Sequence, residues 1–303
     1  MIVKTVACLA GDGVGPELMA AATRALESVS RLHAFELDDV HLPFAGEAVT
    51  RSGHPLPAAT RDGYRRADAI LVASPDEPAF DGVKADLALA WRVARVHVEP
   101  VGDLVIAGPM GSWANAIAIG GAFSCAAARH GRVAAVGDSQ AWRAAVAHER
   151  LRFDGLEVEE LSLGAALVRL REQPESLDVV VTEAGLVSAV TDAAATFAGS
   201  GASVAHAWLS EHGPGVFAPR TSEPSEHAGF GVVDPMGMLL TASLMLAEGL
   251  KRRAASRTLE RAVGQVAGAS TSEAHDTRSF TDAVIDLLPQ ARTDVEHYDE
   301  VWT

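Results

Sequence analysis

Short apolar runs bounded by polar or glycine-rich turns recur along the chain, and they alternate with segments whose apolar positions repeat at helical spacing. The clearest is Asp178-Val-Val-Val-Thr-Glu183. Three valines after an acid predict a strand buried on both faces, then a polar turn and an alanine-rich helix carrying Ser188 and Asp192. Polar groups just past the carboxyl end of such a strand usually face a ligand cleft. Further strands are predicted at 3–9, 35–42, 69–73, 101–107, 132–136 and 156–161. Helices are predicted at 17–30, 58–67, 115–129, 139–150, 164–172, 236–250, 258–266 and 279–288. This alternation predicts an α/β fold. Residues 43–46 and 53–57 read as loops from their Gly and Pro content, and 199–219 as a segment containing Gly and His with no assigned element. The glycines of Gly11-Asp-Gly-Val-Gly-Pro16 have two readings. One is a ligand at a helix N-terminus; the other is a tight turn closing on a proline at helix entry.

Composition narrows the partners. A net charge of −15 over 303 residues argues against nucleic acid and anionic membrane, because both need a basic face. No apolar run reaches the length of a membrane span, and residues 1–10 lack the marks of a signal peptide. Cys8 and Cys125 stand in no metal-ligand spacing, which predicts a cytoplasmic setting. The acidic tail, 294–303, is expected to be mobile. The lysines are Lys4, Lys84 and Lys251, and the tyrosines Tyr64 and Tyr298.

Four blocks carry a family resemblance. They are Gly11-Asp-Gly-Val-Gly-Pro-Glu17; residues 43–57 (PFAGEAVTRSGHPLP) with Ala67-Asp-Ala-Ile-Leu71; Asp178-Val-Val-Val-Thr-Glu183; and Phe217-Ala-Pro219 through Gly229 with Asp234-Pro-Met-Gly237. Together they resemble the isocitrate/isopropylmalate dehydrogenases, nearest the isopropylmalate branch. The resemblance implies a two-domain α/β/α fold, with 1–98 plus 209–303 as one domain and 99–208 as the second. It also implies a cleft for substrate, divalent metal and NAD, and a homodimer whose clefts borrow residues from the partner.

The resemblance also marks what the chain lacks. The positions of the family's three substrate arginines read Leu89, Glu99 and Gly108. The catalytic lysine's position is Asp138, and the tyrosine's falls near Asn115. No Lys or Tyr occurs between Lys84 and Lys251. The three metal aspartates read Gly164, Ser188 and Asp192. The cofactor loop reads Thr221-Ser-Glu-Pro-Ser-Glu226, leaving Glu226 and Asp234 for residual NAD binding. The segment between Gly111 and Ile119 is too short for the family's inter-subunit arm. Oxidative decarboxylation of a hydroxy-diacid needs cations, a metal and an acid/base pair. Carboxylates at 99 and 138 repel a dianion instead.

The candidate catalytic residues are Asp138, Glu99 and His97. The two acids form an acid/base pair with split pKa values, or they are solvated surface groups. His97 is a proton shuttle or a structural histidine. Substrate contacts are expected from Trp91, Arg95, Trp113, Asn115, Gln140, Trp142, Ser188 and Asp192. The tryptophans either wall an apolar cleft or fill space left by lost side chains. Arg92 and Arg95 are the cations nearest the former arginine strand, as anion binders or solvated groups. No metal is assigned and no cofactor required. Three functions compete. The first is a repurposed, metal-independent biosynthetic enzyme performing cyclisation, isomerisation or elimination. The second is a non-catalytic ligand-binding or regulatory paralogue. The third is an NAD-dependent dehydrogenase with an altered substrate.

Overall fold

The computed structural model describes residues 3–75, 78–98, 102–199, 204–220, 225–269 and 276–302. The chain is α/β and divides into two compact units, 1–87 with 212–303, and 88–211. The expected boundary at 98/99 moves back by a strand to 87/88, and that at 208/209 moves three residues to 211/212. β4 (Leu89–Val98) belongs to the second unit because it pairs along its length with β5 and β9, described below.

In the first unit, β1 (Val3–Leu9) leads into α1 (Gly15–Leu32), which opens with Pro16 and Glu17. The turn between them needs glycine. A Cβ on Gly15 would lie 2.0 Å from the Ala10 carbonyl oxygen and 2.4 Å from Ser74 Oγ. Next come β2 (Glu36–His41), α2 (Ala45–Ser52), α3 (Ala58–Arg65), β3 (Ala69–Val72) and α4 (Pro78–Ala85). With β10 (Gly215–Pro219) the strands run β2-β1-β3-β10, all parallel. β3 is wholly buried, as four consecutive apolar residues in a central parallel strand require.

The second unit adds β4, β5 (Gly102–Pro109), α5 (Asn115–Ala127), β6 (Arg132–Val136), α6 (Gln140–Arg150), β7 (Glu157–Leu161), α7 (Leu163–Glu172), β8 (Val179–Thr182), α8 (Val187–Phe197) and β9 (Val204–Ser210). Its strands run β9-β4-β5-β8-β6-β7. β4 is antiparallel to both neighbours, and β5, β8, β6 and β7 are parallel. Serines start two of the helices: Ser139 Oγ accepts the Trp142 N–H at 3.2 Å, and Ser162 Oγ accepts that of Ala165 at 3.2 Å. One face packs on α7 and α8 through Ala94, Val96, Ile106, Val136, Val180 and Val190.

The chain closes with α9 (Met236–Leu244), extended by a π-turn over Met245–Gly249, then α10 (Arg253–Ala269) and α11 (Thr277–Trp302). The tail is helical where mobility was expected. α11 continues through Pro289, Arg292 Nη1 donates to the Leu32 carbonyl at 2.6 Å, and Arg261 Nε donates to Asp294 at 3.0 Å. These bonds hold the helix on its neighbours past the proline. The segment 199–219 likewise holds two strands, β9 and β10. Among the described residues no helix is long and apolar enough to cross a membrane.

Candidate functional site

The second unit's sheet has two chemically distinct edges. At the carboxyl edge, β5, β6 and β8 end at Pro109, Val136 and Thr182, and β4 begins beside them because Arg92 pairs with Gly108. At the amino edge, β4 ends and β5 begins, with His97 paired to Asp103.

Arg92 is the best-anchored cation of the carboxyl edge. Cross-strand pairing with Trp208 puts both side chains on the α8 face. Arg92 Nη1 donates to Ser188 Oγ at 2.8 Å, and Nη2 lies 3.1 Å from Nδ1 and 3.2 Å from Nε2 of the buried His206. The guanidinium carbon sits 5.3 Å from the Trp208 ring, which is tilted against His206 at 5.6 Å. Gly108 lets Thr182 and the start of α8 pack close beside it: a Cβ there would meet Thr182 Oγ1 at 2.6 Å and Val187 Cβ at 3.0 Å. Thr182 Oγ1 is itself buried without a hydrogen-bond partner among the described residues. Asp192 is exposed one turn beyond Ser188 on α8.

Asp138 follows β6 at the same edge and is 68% exposed, with Arg143 Nη2 at 3.5 Å. Its backbone N–H, with that of Ser139, donates to Glu183 Oε2 at 3.2 and 3.3 Å. The Ser139 side chain most strongly lowers the Glu183 carboxyl; burial opposes it, and these two N–H groups add to the lowering, so the carboxyl stays below its usual range. Glu183 therefore fixes the turn into α6. Gln140 is exposed at the start of α6. Trp142 does not line a cleft. It is 1% exposed and packs where a Cβ on Gly137 would clash with its ring. Trp113 is 69% exposed on a 3-10 turn, Ser112–Ala114. Asn115 is buried at the start of α5, with Oδ1 unpartnered among the described residues. Trp91 packs on α5, where a Cβ on Gly121 would lie 2.5 Å from its ring.

His97 lies at the other edge. Its Nδ1 is 2.9 Å from Asp103 Oδ1. Burial pushes the Asp103 carboxyl up, but the His97 hydrogen bond and the charges of Arg95, His97 and Arg129 hold it below its ordinary value. Arg95 is 8% exposed beside this acid. The levels of His97 and Val136 differ by five strand residues through the pairs His97–Asp103, Val105–Val179 and Val133–Val179. That is about 16 Å at ~3.3 Å per residue. Within one chain, His97 and Arg95 therefore do not join Asp138. The burial of Arg95 also rules out a solvated surface role. Glu99 lies outside the described residues.

In the first unit, Glu226 is exposed on a 3-10 turn, Ser225–His227. Asp234 Oδ1 accepts the Met236 N–H at 2.8 Å and so starts α9. His206 and Trp208 escaped sequence reading because their segment was assigned no strand. Their i, i+2 spacing was the signal that places them on one face.

The sequence matches the family described as isocitrate/isopropylmalate dehydrogenase over residues 5–91 and 122–285. The chain belongs to the isocitrate/isopropylmalate dehydrogenase family. A 3-isopropylmalate dehydrogenase of Synechococcus sp. (strain CC9605) is 30% identical, over 86% of this chain and 90% of that protein. Another, of Bacillus thuringiensis subsp. konkukian (strain 97-27), is 28% identical over 95% and 97%. A β-decarboxylating dehydrogenase from Thermococcus kodakarensis, solved in its apo form, has the same fold, with a TM-score of 0.82 at 20% identity and 99% coverage of both chains. The family match skips 92–121, which contains Arg92, Gly108, Trp113 and Asn115.

The divalent metal of this family does not fit the residues present. On α8 a dication would meet one carboxylate, Asp192, and a serine hydroxyl already bonded to a guanidinium. Hard dications need several oxygen donors, and a neighbouring cation repels them.

Proposed function

We propose that this chain is a small-molecule enzyme of specialised biosynthesis on the family scaffold, using metal-independent acid/base chemistry of the isomerisation, cyclisation or elimination type. The observation that carries the reading is Arg92 on Ser188, a fixed guanidinium where the family places a metal aspartate. Such a cation binds and polarises a carboxylate or carbonyl oxygen without a metal. Gly108, its cross-strand partner, and Thr182 lie beside it. Asp138 is the acid/base candidate kept from the sequence, delivered by a second copy in a homodimer, as the resemblance implies. His97, fixed by Asp103 at the far edge, is not assigned a catalytic role. The setting is cytoplasmic, and nucleic acid and membrane are not partners.

The test is direct. Purified protein with NAD, Mg2+ and 3-isopropylmalate is followed at 340 nm. No NADH should form above background, against the ~1–10³ s⁻¹ usual for enzymes. In a screen of carboxylate metabolites, turnover should survive EDTA and fall at least about tenfold in Arg92→Ala and Asp138→Asn. Metal-dependent NADH production would refute the reading.

One observation favours a non-catalytic, ligand-binding paralogue instead: Asp138 is exposed and faces Arg143 rather than a dry pocket. Ligand binding with no turnover by wild type would select that reading. Residual NAD binding through Glu226 and Asp234 is compatible with both, and calorimetry with NAD measures it. Sedimentation equilibrium tests the homodimer.

A further inference from the structure

A cleft of about 380 Å³ opens at the amino edge of the second unit's sheet, where β6 and β7 begin. The end of α6 and the residues before β8 complete its wall. This volume lies within the ~300–1,000 Å³ of small-molecule sites. Two glycines with left-handed backbone, Gly131 (φ 75°) and Gly155 (φ 83°), let the two strand starts close up, and the Glu157 N–H donates to the Gly131 carbonyl at 2.8 Å.

The lining carries both signs of charge. Arg132 and Arg150 reach it, and among the described residues neither guanidinium has a hydrogen-bond or ion-pair partner. Other arginines of this unit are held: Arg92 by Ser188, Arg129 by Asp178, Arg152 by Glu149 and Arg169 by Glu159. Of the three lining carboxylates, Asp178 and Glu159 are thus neutralised by arginines, while Glu157 is uncommitted among the described residues. The Ser176 hydroxyl also lines the wall.

We propose that this cleft binds a small zwitterion of the α-amino-acid class, with its carboxylate on Arg132 and Arg150 and its ammonium on Glu157. The charges decide the class. A dicarboxylate would gain two guanidinia but leave its second carboxylate facing the uncompensated Glu157, and a simple amine would face two guanidinia. A zwitterion matches both signs, and guanidinium–carboxylate pairing supplies strong, oriented hydrogen bonds. The site stands apart from the Arg92 edge, so it does not depend on the proposed reaction.

The test uses the full chain and the L-α-amino acids one at a time, by thermal shift and then titration calorimetry. At least one should bind, with one site per chain. Arg132→Ala, Arg150→Ala and Glu157→Gln should each weaken it by about tenfold or more, with circular dichroism unchanged because these side chains are exposed or half-buried. The N-acetyl derivative and the decarboxylated amine of the binder should lose a similar factor. The proposal is overturned if no amino acid binds, if binding survives all three substitutions, or if succinate binds wild type as tightly as the amino acid does.

Discussion

Asp178, the acid at the head of the triple-valine strand, offers the sharpest quantitative test of what holds the second unit together. Its side chain is 2% exposed. Arg129 Nε donates to Oδ1 at 2.7 Å, the His130 N–H donates to Oδ2 at 3.2 Å, and His130 Nδ1 lies 3.4 Å from Oδ1. Arg129 Nη2 also donates to the Asp103 carbonyl at 2.6 Å. One guanidinium thus joins the end of α5, the start of β5 and the start of β8. Asp178→Ala removes a buried acceptor and leaves Arg129 without its charge partner. Losing one member of a buried pair costs ~3–5 kcal/mol. Asp178→Asn keeps an acceptor but not the charge, and should cost about 2 kcal/mol.

The assay is urea unfolding followed by tryptophan fluorescence. Trp91, Trp113, Trp142 and Trp208 all lie in the second unit, so the signal reports mainly on it. In a double-mutant cycle with Arg129→Ala, the coupling should be ~1–3 kcal/mol, since Arg129 keeps a separate bond to the Asp103 carbonyl. A cost below about 1 kcal/mol for Asp178→Ala, or a coupling below ~0.5 kcal/mol, would refute the idea that this ion pair anchors the strand.

Gly108→Ala should destabilise by ~1–3 kcal/mol, because its Cβ would meet Thr182 Oγ1 at 2.6 Å and Val187 Cβ at 3.0 Å; thermal melting checks it, and an unchanged melt would show that the strand end gives way. Asp103 has a folded-state pKa below its unfolded value, so its contribution is complete above the unfolded value of ~3.9 and is lost as pH falls through the lower folded value. Urea midpoints between pH 6 and pH 3 should therefore drop in wild type and drop less in Asp103→Asn. Burial, and secondarily Asp39, pushes the Cys8 thiol up to about 12, so a thiol reagent at pH 8 should label only the half-buried Cys125 in native protein and both cysteines in denaturant.

Much of the fold could be read from the chain because period and burial agree. β6 and β8 are short all-apolar runs, α6 and α7 start on serines, and Gly15 stands where no side chain fits. The misses have physical causes. β9 carries His206 inside a buried strand, and its imidazole is satisfied by Arg92, far away in sequence. α11 passes through a proline that ordinarily ends a helix. The site was less legible because its contacts are cross-strand. Arg92 could be read as an anion binder or a solvated arginine until β4 and β9 paired, and Trp142 as a cleft wall or a space filler until Gly137 let it pack into the core. The His97–Asp103 pair is six residues apart and readable only once both strands are assigned.

The two edges of the second unit's sheet now have different standing. Where β4, β5 and β8 meet, the amino edge is a buried ionic network, in which Asp103 and Asp178 are buried and His97, Arg95 and Arg129 lie against them. Buried charges so arranged fix strand ends and leave little freedom for proton transfer to a ligand. The carboxyl edge is built the other way. It sets a guanidinium against a hydroxyl, a glycine and a threonine whose buried hydroxyl has no hydrogen-bond partner among the described residues, with exposed acids at Asp138 and Asp192. Arg129 is neutralised by the buried Asp178 carboxylate, whereas Ser188 and His206 hold the Arg92 guanidinium in a fixed orientation. That contrast between Arg92 on Ser188 and Arg129 on Asp178 separates the Arg92 edge from the buried ionic network at Asp103 and Asp178.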